Sequence, residues 1–205
     1  MTSVIHRKEK IIFTAIDAIN ESGVQALSTK KVAQMESIAE STIFKHFKSK
    51  AEILSAVLDF YSQYDDDIIE TIKVRNLKGI TALKYFLESY LRYYENYPAI
   101  TAITQGLNEM RYIDELADKV EHILNNRASC LYTIIREAQT ENKISNQYDV
   151  VNYVDAIMGT INGIIRTWRM ENMTFDLFSR CQQAVSLIVG KEYLLEEVDI
   201  SGNTL

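Results

Sequence analysis

The sequence contains little of what a β-fold, a disulfide framework or a membrane span requires. One proline and seven glycines in 205 residues supply too few turn residues for an all-β protein. Two cysteines, Cys130 and Cys181, cannot build a disulfide framework and suit a reducing compartment. No apolar run approaches the roughly 18–20 residues of a membrane helix, and the charged residues 1–10 lack the apolar stretch of a secretory signal. These absences predict a cytoplasmic, largely helical protein.

Charge is divided unevenly along the chain. Residues 1–54 carry eight Lys or Arg against six Asp or Glu, a net charge of +2. The remaining residues have a net charge of −8, so the whole chain has a net charge of −6. A locally basic surface is what attraction to a nucleic-acid backbone requires. A bias of this size also arises by chance, so it does not by itself establish DNA binding.

Apolar residues recur with the period of an α-helix from end to end. The first helix meets the spacing i, i+3, i+4, i+7 with Ile12, Ala15, Ile16 and Ile19. We expect Gly23 to end this helix, and Thr29 rather than Ser28 to cap a second helix that runs to about Met35. The pattern predicts an all-α fold of about nine helices. A third short helix is expected over about 39–46. Longer helices are expected from Ser49 to near Gly79, from Gly79 to Tyr97 before Pro98, and over about 112–142, 149–170 and 174–195.

Motifs of common enzyme sites are missing from the sequence. There is no glycine-rich phosphate-binding loop, and neither cysteine has a partner at CxxC spacing. The three histidines lie in separate segments, and none follows a glutamate by three positions as in the ExxH metal sites of helical bundles. Asp65–Glu70 contains a DDxxE that could hold Mg²⁺, but the sequence has no second such cluster to face it, which favours a solvated acidic helix face. We therefore expect no enzyme activity and no cofactor.

Residues 28–54 differ in kind from the rest of the chain. Two short helices joined by a tight turn have the geometry of a helix-turn-helix, in which the second helix enters the major groove. Ile43 is expected to point inward. The outward positions carry residue types that hydrogen-bond bases and phosphates, namely Glu40, Ser41, Thr42, Lys45 and His46. Periodicity alone favours this interpretation no more than a generic amphipathic turn of a helical bundle.

This segment resembles the amino-terminal signature of the TetR family of bacterial transcriptional repressors. The matching residues are Thr29, Val32-Ala33, Thr42–Phe47, and Ser49-Lys50 followed by Ile53-Leu54. Gly23 and Leu27 fit the preceding helix, so the resemblance covers roughly residues 8–58. The remainder is similar in helix count, helix length and the break at Tyr97-Pro98.

Two positions depart from the family pattern. Glu36-Ser37 replaces the usual Ala-Gly of the inter-helix turn, and serine at positive φ costs about 1 kcal/mol that glycine avoids. Phe44 replaces the usual tyrosine, so a hydroxyl that bonds phosphate is missing. We expect the remaining contacts to contribute more of the DNA affinity.

The resemblance implies operator binding through a helix-turn-helix domain of residues 1–50. Thr29 and Lys50 lie at helix amino ends, which attract phosphate, and Lys45 is the expected base or phosphate donor. The residues expected to contact DNA are Arg7, Lys8, Thr29, Ser41, Thr42, Phe44, Lys45, His46 and Lys50.

The resemblance further implies that residues 51–205 bind an effector and a second copy of the chain. An aromatic stripe on one helix, Phe86, Tyr90, Tyr93 and Tyr97, is typical of either a packed core or the wall of a ligand cavity. Arg111 is consistent with a contact to an anionic effector or with a surface ion pair. The expected ligand-binding residues are Tyr90, Tyr94, Gln105, Arg111, Tyr132, Met158 and Trp168.

The last two helices are the expected dimer interface, because the family forms a four-helix interface there. Gly159 and Gly163 make a GxxxG on an otherwise apolar helix, which indicates close helix approach. The residues expected at the interface are Met158, Gly159, Ile161, Gly163, Ile165, Phe178, Val185 and Ile188.

The sequence is therefore interpreted as a homodimeric repressor that a small hydrophobic effector, neutral or anionic, releases from double-stranded operator DNA. Residues 144–177, with Thr167-Trp168 and Phe175–Leu177, also resemble the fatty-acyl-responsive branch of the family. Long-chain acyl compounds are thus the expected effectors, with neutral or cationic drugs as the alternative. A helical enzyme and a protein-interaction adaptor without DNA binding remain the alternative functions.

Overall fold

The computed structural model describes residues 2–190 and 192–195, with side chains from residue 7 to 190 and at 193 and 194. This part of the chain contains helices and no strands. Nine α-helices have five residues or more, which confirms the predicted all-α class. They are α1 Thr2–Ala26, α2 Thr29–Met35, α3 Glu40–Phe44, α4 Lys50–Val74, α5 Gly79–Asn96, α6 Thr101–Met110, α7 Asp114–Thr140, α8 Val150–Met170 and α9 Leu177–Val189, with a 3₁₀ turn Pro98–Ile100 and a short α10 Glu192–Leu195.

The helices form two compact units. The first contains residues up to 65 together with 97–124, and the second contains residues 66–96 and those from 125 onward. Both α4 and α7 therefore contribute residues to each unit. The domain boundary expected between residues 50 and 51 stays a prediction.

Helix ends differ in detail from the sequence-based expectation. Ser28, not Thr29, caps α2, because its Oγ accepts a hydrogen bond from the Lys31 N–H at 3.1 Å, which makes the cap prediction wrong. Ser49 caps α4 as expected, since its Oγ accepts from the Glu52 N–H at 3.1 Å. Gly23 interrupts α1 with φ of 80°, yet the helix resumes and ends at Ala26. At the other end, Gly190 with φ of 104° ends α9, so the helix expected over 174–195 is divided.

The helix-turn-helix has an apolar centre of its own. Ile16 and Ile19 of α1 are buried, as are Val32 of α2, Ile43 of α3 and Phe47 just after it. Recognition helix α3 is shorter than expected, Glu40–Phe44 instead of about 39–46, and Lys45 is its carboxyl cap. Burial of Ile43 and Phe47 orients the short helix, because each apolar side chain removed from water contributes about 1.5–3 kcal/mol.

Ser37 occupies the turn between α2 and α3 with φ of 55°. This is the left-handed region, where a Cβ is strained and glycine is not. The turn keeps the conformation that the family usually builds with glycine. Glu36 beside it accepts a hydrogen bond from the Thr14 hydroxyl and lies 3.9 Å from the Arg7 guanidinium, which links the turn to α1.

Replacing Ser37 by glycine is expected to raise the free energy of unfolding by about 0.5–1 kcal/mol, since it relieves the left-handed strain. Urea unfolding followed by circular dichroism measures the change. Ser41→Gly is the matched control, because Ser41 is exposed within α3 and glycine there should lower stability by about 0.5 kcal/mol. Equal losses in both variants would contradict the left-handed turn.

Candidate nucleic-acid interface and internal cavity

The surface of α3 presents polar and basic side chains above its buried anchors. Ser41, Phe44 and Lys45 are exposed, and Thr42 and His46 are half-exposed. The Phe44 ring is 51% exposed. Side chains of these types can bond phosphates and base edges, and an exposed ring can contact a thymine methyl group.

Residues of α1 add basic groups to the same unit. The Lys8 ammonium lies 5.4 Å from the centroid of the buried Phe47 ring, directly after α3. Arg7 is half-exposed, and its guanidinium faces Glu36 at 3.9 Å. The structure thus brings Lys8 to the recognition-helix segment and holds Arg7 near the inter-helix turn.

Thr29 is hydrogen-bonded within the protein. Its hydroxyl donates to Glu40 Oε1 at 2.5 Å, so the start of α2 is joined to the first residue of α3. A phosphate that accepts from the same hydroxyl must compete with this carboxylate. Glu40 therefore adds negative charge beside a position that is expected to contact DNA.

Lys50 is also held by protein groups. Its Nζ donates to the Gln25 carbonyl at 3.0 Å, near the end of α1. Burial lowers the pKa of this ammonium from its ordinary value, and the nearby Glu109 carboxylate opposes that change. Two exposed lysines, Lys30 and Lys48, lie beside Thr29 and Ser49 and were missed by the sequence interpretation, although their charge next to helix starts is a usable signal.

A small, partly open cavity of about 30 Å³ lies within the second unit, among α5, α7 and α8. Three of the expected ligand-binding residues line it, Tyr90, Tyr94 and Met158. Tyr132 and Trp168 do not line it, and the Trp168 indole N–H donates to the Phe175 carbonyl at 2.9 Å. The remaining lining residues are Phe86, Leu87, Leu91, Arg127, Ile161, Asn162 and Ile165.

Gln105 and Arg111 belong to the first unit instead. Both are exposed, and Arg111 is the carboxyl cap of α6 with its guanidinium 5.6 Å from the Tyr112 ring centroid. Their predicted roles in ligand binding thus have no support from the cavity lining. Of the aromatic stripe, Phe86 and Tyr90 line the cavity, and their ring centroids are 4.7 Å apart.

Arg127 is the cation of this cavity, and the sequence interpretation missed it. Its side chain is only 5% exposed, and its Nε donates to the Tyr90 hydroxyl at 3.1 Å. The guanidinium also lies 4.9 Å from the centroid of the Tyr90 ring. A usable signal was present, because Arg127 occupies the apolar helical register of α7 that includes Val120, Ile123, Leu131 and Ile134.

A larger open groove of about 470 Å³ runs between α4 and α7 in the same unit. Ile69, Ile72 and Ile134 provide apolar lining, and Lys73 and Glu137 provide charges. In the acidic run of α4, Asp66, Asp67 and Glu70 are exposed, whereas Asp65 is buried. Among the described residues no group of three or more His, Cys, Asp or Glu could hold a metal ion.

The two glycines of the GxxxG lie on an open side of α8. A Cβ added at Gly159 or Gly163 would meet no heavy atom within 4 Å. Two predicted interface residues, Ile165 and Val185, are instead buried inside the unit, and Met158 and Ile161 line the cavity. Phe178 lies under the Arg92 guanidinium, 4.3 Å from the ring centroid, and Ile188 is half-buried.

Two exposed apolar residues of α8 and α9 were not among the residues predicted for the interface. Met170, the last residue of α8, is 78% exposed, and Leu187 of α9 is 87% exposed. Large exposed apolar side chains on neighbouring helices are typical of an interaction surface. A usable clue in the sequence was their position on α8 and α9, the two helices expected to form the dimer interface.

Two family models together match most of the chain. Residues 11–57 match the model described as "Bacterial regulatory proteins, tetR family". Residues 57–191 match the model described as "YsiA-like protein, C-terminal region". The two matches meet within α4. None of the helices in the described part combines the length and apolar character needed to cross a bilayer.

Similar proteins include regulators and a nucleoid occlusion factor. The "Fatty acid metabolism regulator protein" of Bacillus subtilis is 27% identical over 185 residues, which cover 88% of this chain and 92% of that protein. "Nucleoid occlusion factor SlmA" of Vibrio cholerae is 21% identical over 160 residues, 78% of this chain and 82% of that protein. The crystal structure of a "transcriptional regulator FadR from Bacillus subtilis in complex with stearoyl-CoA" has a TM-score of 0.69 at 24% identity, over 88% of this chain and 97% of that chain. At this identity the structural match shows a shared fold.

Proposed function

Because the chain belongs to the TetR family of bacterial regulatory proteins, we propose that it is a homodimeric repressor whose operator binding is relieved by an acyl-bearing effector. Members of this family are DNA-binding transcriptional regulators, which supports regulation instead of catalysis as the activity. We place its action in the cytoplasm, where a bacterial operator is found.

The observation that carries the DNA-binding proposal is the exposed face of α3 on its buried anchors. Ile43 and Phe47 are no more than 1% exposed, whereas Lys45 and Ser41 next to them are exposed. The exposed hydroxyl and ammonium groups beside these anchors are groups that bond phosphates and base edges. The net charge of +2 over residues 1–54 agrees with attraction to phosphate.

The effector proposal is supported by the partly open cavity of the second unit and by two similar proteins. One relative is named a fatty acid metabolism regulator, and one solved relative was crystallised with stearoyl-CoA. The cavity of about 30 Å³ has room for little more than a water molecule, whereas ligand sites typically have about 300–1,000 Å³. An acyl chain must therefore part α5, α7 and α8 on entry.

Such a separation provides a route to DNA release. A ligand shifts a conformational equilibrium only through its differential affinity for the two arrangements, and an acyl chain binds only the arrangement in which these helices have moved apart. Helix α7 has residues in both compact units. A displacement of its part in the second unit is therefore transmitted along the helix to its part in the first unit. In a dimer, a changed distance between two α3 helices lowers affinity for half-sites one helical turn apart.

The proposal is tested by selecting DNA from a random pool with the purified protein and titrating the selected duplex by fluorescence anisotropy. Palmitate and palmitoyl-CoA are then added, with a hydrophobic amine as the comparison. We expect an enriched palindromic sequence and its release by an acyl compound. Failure to enrich any sequence would contradict the repressor, and release by the amine alone would contradict the acyl effector.

Replacing Glu40 by glutamine is expected to increase DNA affinity. The change removes the negative charge that holds the Thr29 hydroxyl and keeps an acceptor of nearly the same shape. Removal of an exposed like charge near phosphate contributes about 0.5–1 kcal/mol per copy, or about fivefold to thirtyfold for a dimer. Titration of the selected duplex at fixed salt measures it.

The matched control for this variant is Glu171→Gln, which changes the net charge equally at an exposed position of the second unit. It should leave the DNA affinity unchanged. If Glu40→Gln instead binds more weakly, Glu40 contributes a favourable base contact, and its assignment as a competitor of phosphate is wrong.

A further inference from the structure

The exposed stripe of α3 contains one apolar side chain between polar ones. Ser41, Phe44 and Lys45 stand at positions i, i+3 and i+4 of the helical period, so they share one face. All three are exposed, and the Phe44 side chain keeps 51% of its surface open to solvent. The buried anchors Ile43 and Phe47 occupy the inward face. The stripe is therefore the surface that this short helix presents to a partner.

A phenylalanine ring on the recognition helix has few ways to contact DNA. It carries no hydrogen-bond donor or acceptor, so it bonds neither a phosphate oxygen nor the polar atoms of a base edge. In the major groove the base edges present hydrogen-bonding atoms and one kind of apolar group, the C5-methyl group of thymine. An apolar side chain in this groove therefore distinguishes one base from another through that methyl group.

We propose that Phe44 recognises the C5-methyl group of one thymine in each operator half-site. The inference rests on the proposed function and deepens it, because it names a base that the recognition helix selects. Ser41 and Lys45 supply polar contacts that fix the register of the helix on the duplex, and Phe44 supplies the apolar contact. A C·G pair at the same place lacks the methyl group and presents an amino donor that the ring desolvates without bonding it.

The fold holds the Phe44 ring in place for such a contact. The Ile43 carbonyl accepts hydrogen bonds from the backbone N–H groups of His46 and Phe47, both at 2.9 Å, so the chain keeps its helical turn just past Phe44. About half of the Phe44 surface is already covered within the chain. Contact of the exposed half with a methyl group removes apolar surface of both groups from water, which is favourable.

The test replaces thymine by deoxyuridine, which lacks only the methyl group. Each symmetry-related pair of thymines in the duplex selected by the full chain is changed in turn, and the affinity is measured by fluorescence anisotropy at fixed salt. One pair is expected to weaken binding about fifteenfold, or about fourfold when a single half-site is changed, because each change removes one buried methyl group. At that position 5-methylcytosine should bind more tightly than cytosine, since it restores the methyl group alone.

Variants of the protein assign the methyl contact to Phe44. Phe44→Ala should bind the thymine duplex more weakly than wild type and should bind the thymine and deoxyuridine duplexes equally. Phe44→Tyr keeps the ring and should keep most of the discrimination. Lys45→Ala should weaken binding of both duplexes by the same factor. Tyr112→Ala removes an exposed ring outside the helix-turn-helix and should change neither the affinity nor the discrimination.

The outcomes separate this inference from the proposed function. A selected sequence without thymine, or one in which no deoxyuridine pair weakens binding, overturns the methyl contact and leaves the repressor unaffected. The same holds if Phe44→Ala distinguishes thymine from deoxyuridine as well as wild type does, because another group then recognises the methyl. A random pool from which no sequence is enriched contradicts both. If circular dichroism shows that Phe44→Ala does not fold, Phe44→Gln carries the test with the same expected loss of discrimination.

Discussion

Replacing Lys45 by alanine is expected to weaken operator binding at least thirtyfold without reducing stability. Lys45 is exposed directly after α3, so its removal leaves the buried anchors Ile43 and Phe47 intact. A groove contact is worth about 1–3 kcal/mol per half-site, and a dimer carries two copies, which makes about 2–6 kcal/mol in all. Anisotropy titration of the selected duplex measures the affinity, and urea unfolding measures the stability.

Two further variants determine whether the loss is local. Lys143→Ala removes the same charge from an exposed position between α7 and α8, and should change the affinity little. Thr42→Ala, half-exposed within α3, should lose operator affinity with unchanged stability. Wild-type affinity in both Lys45→Ala and Thr42→Ala would show that the exposed face of α3 is not the DNA-binding surface.

The DNA affinity is also expected to fall steeply with salt. If each copy makes about three or four phosphate contacts, a dimer displaces about six to eight counterions, and the slope of log affinity against log salt is near −5 to −7. A fourfold increase in salt then weakens binding by about a thousandfold or more. The candidates for these contacts include Lys8, Thr29, Lys45 and Lys50.

The salt titration has a built-in comparison. Glu40→Gln should shift the affinity upward at every salt concentration with little change in slope, because it adds no cation. Lys45→Ala should make the slope shallower by about one to two if Lys45 contacts phosphate, and leave it unchanged if Lys45 contacts a base edge. A wild-type affinity that barely changes between low and moderate salt would contradict a phosphate interface and favour a protein-binding adaptor.

Local sequence was sufficient to predict the helix-turn-helix and its buried residues. It was insufficient to predict the side-chain hydrogen bonds that join its helices. Ile43 and Phe47 are buried as the helical period predicts, because that period depends on side chains three or four positions apart. The cap of α2 was misassigned because Ser28 and Thr29 are adjacent hydroxyl residues with similar cap preferences. A long-range contact distinguishes them, since the Thr29 hydroxyl bonds Glu40, eleven positions away.

The ligand cavity could be predicted only in part, for the same reason. The period of α5 places Phe86 and Tyr90 on one face, but it does not say which helix meets that face. Arg111 was the cation expected to contact an anionic effector, whereas the cation that lines the cavity is Arg127, from α7. Pairing between helices follows from packing of whole elements, which residue spacing within one helix does not encode.

Native mass spectrometry of the protein with its selected duplex tests the central claim most directly. The account predicts two chains on one duplex whose half-sites lie about 34–36 Å apart, one turn of B-DNA. It also predicts that an added acyl compound yields a ligand-bearing dimer and free DNA. A single chain on the duplex, or a complex that keeps its DNA when the ligand is bound, would contradict it.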